Sequence, residues 1–319
     1  MRARALWATA PGQCEIREET LPVPAPDQVL VRTLASGISR GTERLVLSGH
    51  VPPSQHAIMR APLQAGDFPF PVKYGYAAVG TLADGHRVFC LHPHQDLFLA
   101  PRGLCVPVPD GVSSHRAVLA ANMETALNIL WDAAPLAGER VLVVGGGVVG
   151  LLAAWLLARI PGAVVTVADT DPLRREVVER LGARFATPDQ APAEQELVVH
   201  ASASAAGLRL ALARAAFEAR ILEASWHGDA EIGLPLGEAF HSKRLRLLST
   251  QVGAVSPAMR GRRTHAERMA LALDLLRDPV LDVLCGPTLP FEQLPARYAA
   301  ILAPPARGQA APLCPVVIY

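Results

Sequence analysis

Up to about residue 120 the hydrophobic positions form short runs of period two, and beyond it they alternate between strand-like and helix-like blocks. Residues 28–34 (QVLVRTL) alternate apolar and polar as a half-buried strand does, and 78–82 with 86–91 read as two further strands across an Asp84-Gly85 turn. Segment 51–72 has no period, is rich in proline and carries His56, Met59 and Phe68. It is expected to be a loop over a cleft, the kind of place where function collects. Residues 113–132 space their apolar side chains helically and predict a link between the two halves of the chain. The pattern then predicts strand 141–144, helix 148–160 stopped by Pro161 and Gly162, strand 164–167, helix 173–181, strands 184–186 and 197–200, helix 205–217, and strands 219–224 and 245–250. Alternation of this kind predicts an α/β doubly wound parallel sheet. An amphipathic helix at 262–276 and a turn-rich tail at 280–319 return the chain to its first part. The expected division is 1–120 with 252–319, and 121–251.

One turn carries recognisable chemistry. After the β-branched run 141–144, Gly145, Gly147 and Gly150 fall at the spacing G-x-G-x-x-G. The first permits a tight turn, the second lets backbone approach a pyrophosphate, and the third lets helix pack on strand. The N–H groups of Val148 and Val149 open the helix and would point at the phosphates. The next strand ends at Asp169, about 20 residues beyond the glycines, where a carboxylate accepts hydrogen bonds from an adenosine ribose. Strand, glycines, helix, strand and acid in this order predict a Rossmann dinucleotide site. The uncharged run 141–158 is long enough to raise a membrane span. Its glycines exclude that reading, since each would cost about 1 kcal/mol inside a continuous helix.

Composition narrows the partners. Hydrophobic residues make up 50% of the chain, charged residues 18%, and the formal net charge is +1, which gives no electrostatic case for nucleic acid or an anionic membrane. A small-molecule substrate is expected instead. The N-terminal arginines are not followed by an apolar stretch of useful length, so no secretory signal is read and the cytoplasm is the expected location. Cys14, Cys90, Cys105, Cys285 and Cys314 are scattered with no C-x-x-C pair, which supports neither a disulfide framework nor a zinc ribbon.

Several segments in order carry a resemblance: ASGISRGTE (35–43), KYGYAAVG (73–80), GHRV (85–88), PVPDGVS (107–113), the glycine turn, and D-x-D-P-x-R through L-G-A (169–183). Together they resemble the medium-chain dehydrogenase/reductase superfamily, the relatives of zinc alcohol dehydrogenase, and ISRGTE is similar to the bacteriochlorophyllide dehydrogenase branch. The resemblance implies a Rossmann domain plus a discontinuous, β-rich, GroES-like domain from the N- and C-terminal parts. It implies NAD-dependent hydride transfer to or from an alcohol or carbonyl substrate held between the domains, NADP remaining open, and a homodimer. It places Arg40 against the pyrophosphate, Arg174 beside Asp169 on the ribose, and Thr125 beside the nicotinamide.

The departures from that family are as informative. Where its catalytic zinc takes a cysteine, a histidine and a further cysteine or acid, this chain has Ser39, Tyr76 next to Ala77, and 121–123 without thiolate or imidazole. Hydroxyls replace thiolate and imidazole poorly as zinc ligands. A zinc-free member is therefore expected, with no metal site, similar in this to the quinone and enoyl reductases. Charge on the substrate oxygen then needs a proton donor or a fixed positive group. The candidates are Tyr76, His94, Glu43 and Ser39, with His92, Lys73 and Glu124 behind them. Each has a plainer reading: Tyr76 as a packing wall, Glu43 as a charge at a helix start, His92 and His94 as rim residues, Asp169 as a helix cap, Arg174 as a solvated charge, His227 and His241 as structural. Two alternatives stay open: an NADPH-preferring quinone or enoyl reductase, which the charge of Asp169 opposes, and a non-catalytic nucleotide-binding sensor.

Overall fold

The computed structural model describes residues 1–304, 309 and 311–319, so that part of the expected turn-rich tail, 305–308 and 310, lies outside the described residues. The chain forms two units, Met1–Ala121 with Met269–Tyr319, and Asn122–Arg268. In the second unit six strands lie in the spatial order Arg184–Ala186, Val164–Ala168, Arg140–Val144, Gln195–His200, Ala215–Glu223 and Arg246–Ser249. All five neighbouring pairs are parallel. Val141, Leu142 and Val143 are completely buried, as a central strand covered on both faces requires. Helix Val148–Leu157 follows the glycine turn and hides nearly all of its side chains. Among the described residues no helix is long and apolar enough to cross a membrane.

The expected helices 148–160, 173–181 and 262–276 run Val148–Leu157, Arg175–Arg180 after a 3-10 turn, and His265–Leu275, and two others differ more. The helix begun at Ala205, capped by the Ser204 hydroxyl on the Gly207 N–H, stops at Arg214, and a strand takes over from Ala215 to Glu223. Alanines at 215, 216 and 219 fit either element, and burial in the core around Leu142, Val198 and Ile221 decides for the strand. Residues 113–132 split into a turn of helix at Ser114–Ala117 and a longer helix at Ala120–Ala133.

The first unit contains two sheets. The larger runs Cys285–Pro290, Cys314–Ile318, Gln28–Gly37, Ala78–Thr81, Arg87–Cys90 and Val106–Pro107, with Leu97–Pro101 also on Gln28–Gly37. The smaller runs Gln13–Thr20, Arg2–Ala10, Val72–Lys73 and Ala65–Gly66. Its first hairpin was not expected, because arginine and glutamate interrupt the apolar alternation of both strands. Segment 51–72 holds a 3-10 turn at Pro53–Gln55, the two-residue strand Ala65–Gly66 and the start of its partner Val72–Lys73.

Arginines tie each unit together. Arg116 grips Asp282 through two hydrogen bonds of 2.7 Å and also reaches the carbonyls of Leu276 and Arg277, fastening the C-terminal return. In the nucleotide unit, Arg268 is 1% exposed and donates to Glu124, Asn128 and the carbonyl of Ala254. That clamp explains the second boundary. Residues 252–268, expected in the other domain, belong with the nucleotide unit.

Candidate functional site

The glycine turn closes as its spacing requires. Gly145 has φ +113°, the left-handed side that side chains avoid, and a Cβ there would meet the Ser202 N–H nitrogen at 2.8 Å. At Gly150 a Cβ would run into the carbonyl of Gly145, so the helix can approach the strand only without a side chain. Gly147, the N-cap residue, is exposed and has open space around its Cβ position, leaving a bare backbone face for an anion at the start of the helix. Val148 and Val149 are the first residues of that helix, half-buried. The Asp169 carboxylate accepts from the Gly146 N–H at 2.6 Å and from the Asp171 N–H at 2.8 Å. A carboxylate has about four acceptor sites, so two remain for ribose hydroxyls. Capping falls to Asp171, which accepts from Leu173. Arg174 is buried, 3.6 Å from Asp171, and is not the solvated charge of the plainer reading. Thr125 is half-buried on helix Ala120–Ala133. A dinucleotide fits this turn.

In the other unit a line of hydrogen bonds joins distant segments. Ser39 is the N-cap of helix Arg40–Ser48, and its N–H donates to Glu43 at 2.8 Å. Glu43, 1% exposed, also accepts from the Tyr298 hydroxyl at 2.6 Å and meets His94 Nε2 at 3.1 Å. On its other side His94 Nδ1 is 2.7 Å from Ser36 Oγ, which lies 2.8 Å from the Tyr319 hydroxyl. His94 is therefore buried at 1% exposure and is not a rim residue. Tyr76 is half-buried, edge-on to Tyr74, with hydrogen bonds to Ser39 and Thr42. Burial pushes its phenol up to about 12, the negative Glu43 adds to this, and the two hydroxyl contacts oppose it. The structure thus brings Ser39, Glu43 and Tyr76 together, with His94 behind Glu43.

Other candidates are used elsewhere. His92 stacks on Phe98 with ring centroids 3.6 Å apart and bonds to the Pro93 carbonyl; burial lowers its imidazole to about 3, so it is neutral packing and not a rim ligand. Lys73 donates to Glu19 and Gln95. Glu124 faces Arg268 at 3.0 Å; burial raises its carboxyl above the ordinary range although Arg268 opposes this. Arg40 sends its guanidinium to the carbonyls of Ile301, Ala303 and Pro312, work that occupies donors the resemblance assigns to pyrophosphate. His241 is exposed.

One grouping escaped the sequence. His200 and Glu223 are opposite each other at the carboxyl ends of neighbouring parallel strands, with His227 on the loop beyond. Burial raises the Glu223 carboxyl, but hydrogen bonds from His200 and Ser225 prevail and hold it below the ordinary carboxylate range. Only the register of two strands shows the pair; the one available signal is that both residues end apolar runs.

Comparison with solved structures decides the architecture. A Sinorhizobium meliloti 1021 protein assigned as a zinc-binding dehydrogenase and bound to NADP superposes with a TM-score of 0.79 at 18% identity, covering 100% of both chains. The chain has the medium-chain dehydrogenase/reductase fold. Another protein of this fold, acetophenone reductase of Geotrichum candidum NBRC 4597 in complex with NAD, gives a TM-score of 0.76 at 17% identity over 100% of this chain and 97% of that one. Within the medium-chain fold, residues 120–223 match the family model "Alanine dehydrogenase/PNT, C-terminal domain". L-galactonate-5-dehydrogenase of Escherichia coli (strain K12) is 44% identical over 80 residues, 24% of this chain and 23% of that protein. The 2-desacetyl-2-hydroxyethyl bacteriochlorophyllide A dehydrogenase of Cereibacter sphaeroides is 28% identical over 205 residues, 56% of this chain and 60% of that protein. The chain thus spans less than two thirds of the length of either curated relative.

Proposed function

We propose that this chain is a nicotinamide-dependent oxidoreductase of the medium-chain type, passing hydride between the cofactor and an alcohol or carbonyl carbon. The observation that carries the reading is the turn at Gly145–Gly150, open at Gly147 and braced by a carboxylate with acceptor sites to spare. The curated relatives are dehydrogenases by name. Bound, the nicotinamide gives or takes the hydride; the chain binds its phosphates at the helix start and its ribose at Asp169. NAD is the cofactor we assign, because Asp169 accepts from a free 2′-hydroxyl and repels a 2′-phosphate. The hydride chemistry is zinc-independent in this reading, since Ser39 and Tyr76 supply hydroxyls where a zinc needs imidazole or thiolate. Tyr76 is the proton donor we favour: its phenol stays protonated and borders Ser39 and Thr42, whereas His94 is engaged on both ring nitrogens.

Fluorescence titration with NADH and NADPH tests the cofactor reading. NADH is expected to bind more tightly, and Asp169→Ala to narrow the gap; tighter NADPH binding by the unaltered chain overturns the assignment. For the proton, Tyr76→Phe is expected to lower the single-turnover rate by about 10²-fold with a reactive carbonyl or alcohol. A loss under about threefold rejects Tyr76.

A further inference from the structure

We infer that His200, Glu223 and His227 form a binding site for a divalent transition cation of the zinc class, at the carboxyl ends of the parallel strands in the nucleotide unit. One nitrogen or oxygen from each residue lies within 4.8 Å of the others. Glu223 Oε2 is 2.7 Å from His200 Nδ1 and 3.5 Å from His227 Nε2, so one carboxylate oxygen has an imidazole nitrogen of each histidine beside it. Four ligands about 2.0–2.1 Å from a tetrahedral zinc stand roughly 3.3 Å apart, and the observed spacings bracket that value.

Three features distinguish the group from an ordinary hydrogen-bonded histidine. His227 Nε2 is buried, makes no hydrogen bond and lies 3.5 Å from Glu223 Oε2, a nitrogen at the cluster with no hydrogen-bonding use of its own. The far nitrogen of His200 lies 2.7 Å from Ser202 Oγ, and that hydroxyl is 2.9 Å from Ser204 Oγ. A cation would take the place of the proton that His200 Nδ1 shares with Glu223, and Nε2–H donating to Ser202 would then hold the imidazole in its ligating tautomer, as supporting hydrogen bonds do for metal-bound histidine. The second oxygen of Glu223 accepts from the Ser225 N–H at 2.8 Å, which fixes the carboxylate in turn.

Two imidazoles and one carboxylate form the donor set of zinc and related cations, and suit magnesium or calcium, which prefer all-oxygen shells, much less well. The cation would clasp the ends of two strands to the loop that carries His227, beside the glycine turn, since Ser202 also abuts Gly145. It occupies a different unit from Ser39 and Tyr76, so the reading of a zinc-free hydride step and this site stand or fall separately.

The test uses the full chain, stripped with a chelator and dialysed, then titrated with Zn²⁺ by calorimetry and with Co²⁺ by visible absorption. One Zn²⁺ per chain is expected, with Co²⁺ bands of a four-coordinate nitrogen-oxygen site and a Tm that rises with Zn²⁺. His227→Gln, on the loop beyond Glu223, is expected to weaken binding at least tenfold and abolish the Tm rise. Glu223→Gln should do the same, while His86→Gln, at an exposed imidazole beside Asp84, leaves binding unchanged. Absence of saturable Zn²⁺ binding overturns the proposal, as does binding that survives His227→Gln and Glu223→Gln, or Mg²⁺ binding as tight as Zn²⁺.

Discussion

Tyr76 owes its raised pKa to burial before any neighbour's charge, and it shares this with the rest of its kind: the chain has 4 tyrosines, and Tyr74, Tyr298 and Tyr319 are likewise raised chiefly by burial. Above the ordinary tyrosine value of 10 the unfolded chain releases protons that the folded chain retains. Stability is therefore complete below that value and falls as pH rises from it toward about 12, the folded value of Tyr76. The expected result is no tyrosinate absorbance from the native chain at pH 10, its appearance when denaturant is added, and a Tm that declines less steeply for Tyr76→Phe across this window. At this scale the sequence reveals identities and hides partners. Glu43 sits in the first turn of its helix as a charge at a helix start should, yet its partners His94 and Tyr298 lie 51 and 255 residues away. No local spacing connects them.

The glycine turn was legible because its glycines and the strand and helix they join are consecutive in the chain, although Gly145 is confined by the distant Ser202 and Gly147 faces open space. That permits a paired prediction. Gly147→Ala places its methyl in open space at an unstrained φ of −76°, so the chain should keep its Tm within a few degrees while losing at least tenfold in NADH affinity. Gly150→Ala meets the Gly145 carbonyl and is expected to lower stability by about 1–3 kcal/mol, with binding lost as a consequence. Thermal unfolding beside NADH titration separates them; equal loss of stability in both would refute the division of labour. The alanine-rich stretch from 205 to 219 was legible only in part, because alanine satisfies helix propensity and sheet packing alike, and the strand won through pairing with Gln195–His200.

For the whole molecule, the change of period falls near residue 120 and the units divide between Ala121 and Asn122, whereas the division at Met269 follows a buried ion pair that no pattern displays. Arg268→Ala leaves Glu124 buried without its cation and is expected to cost about 3–5 kcal/mol in denaturant unfolding. The double change Arg268→Met with Glu124→Leu should cost less than the single one, since both charges then leave the core together. The first unit closes in another way. Strand Cys314–Ile318 lies between Gln28–Gly37 and the edge strand Cys285–Pro290, so that edge strand has no join to the rest of the larger sheet until residues 314–318 are in place. During synthesis the contiguous nucleotide unit can complete itself as soon as it emerges. The edge of Gln28–Gly37 meanwhile waits for residues 314–318 while the whole nucleotide unit is made, a template for wrong pairing on every ribosome that pauses between the two.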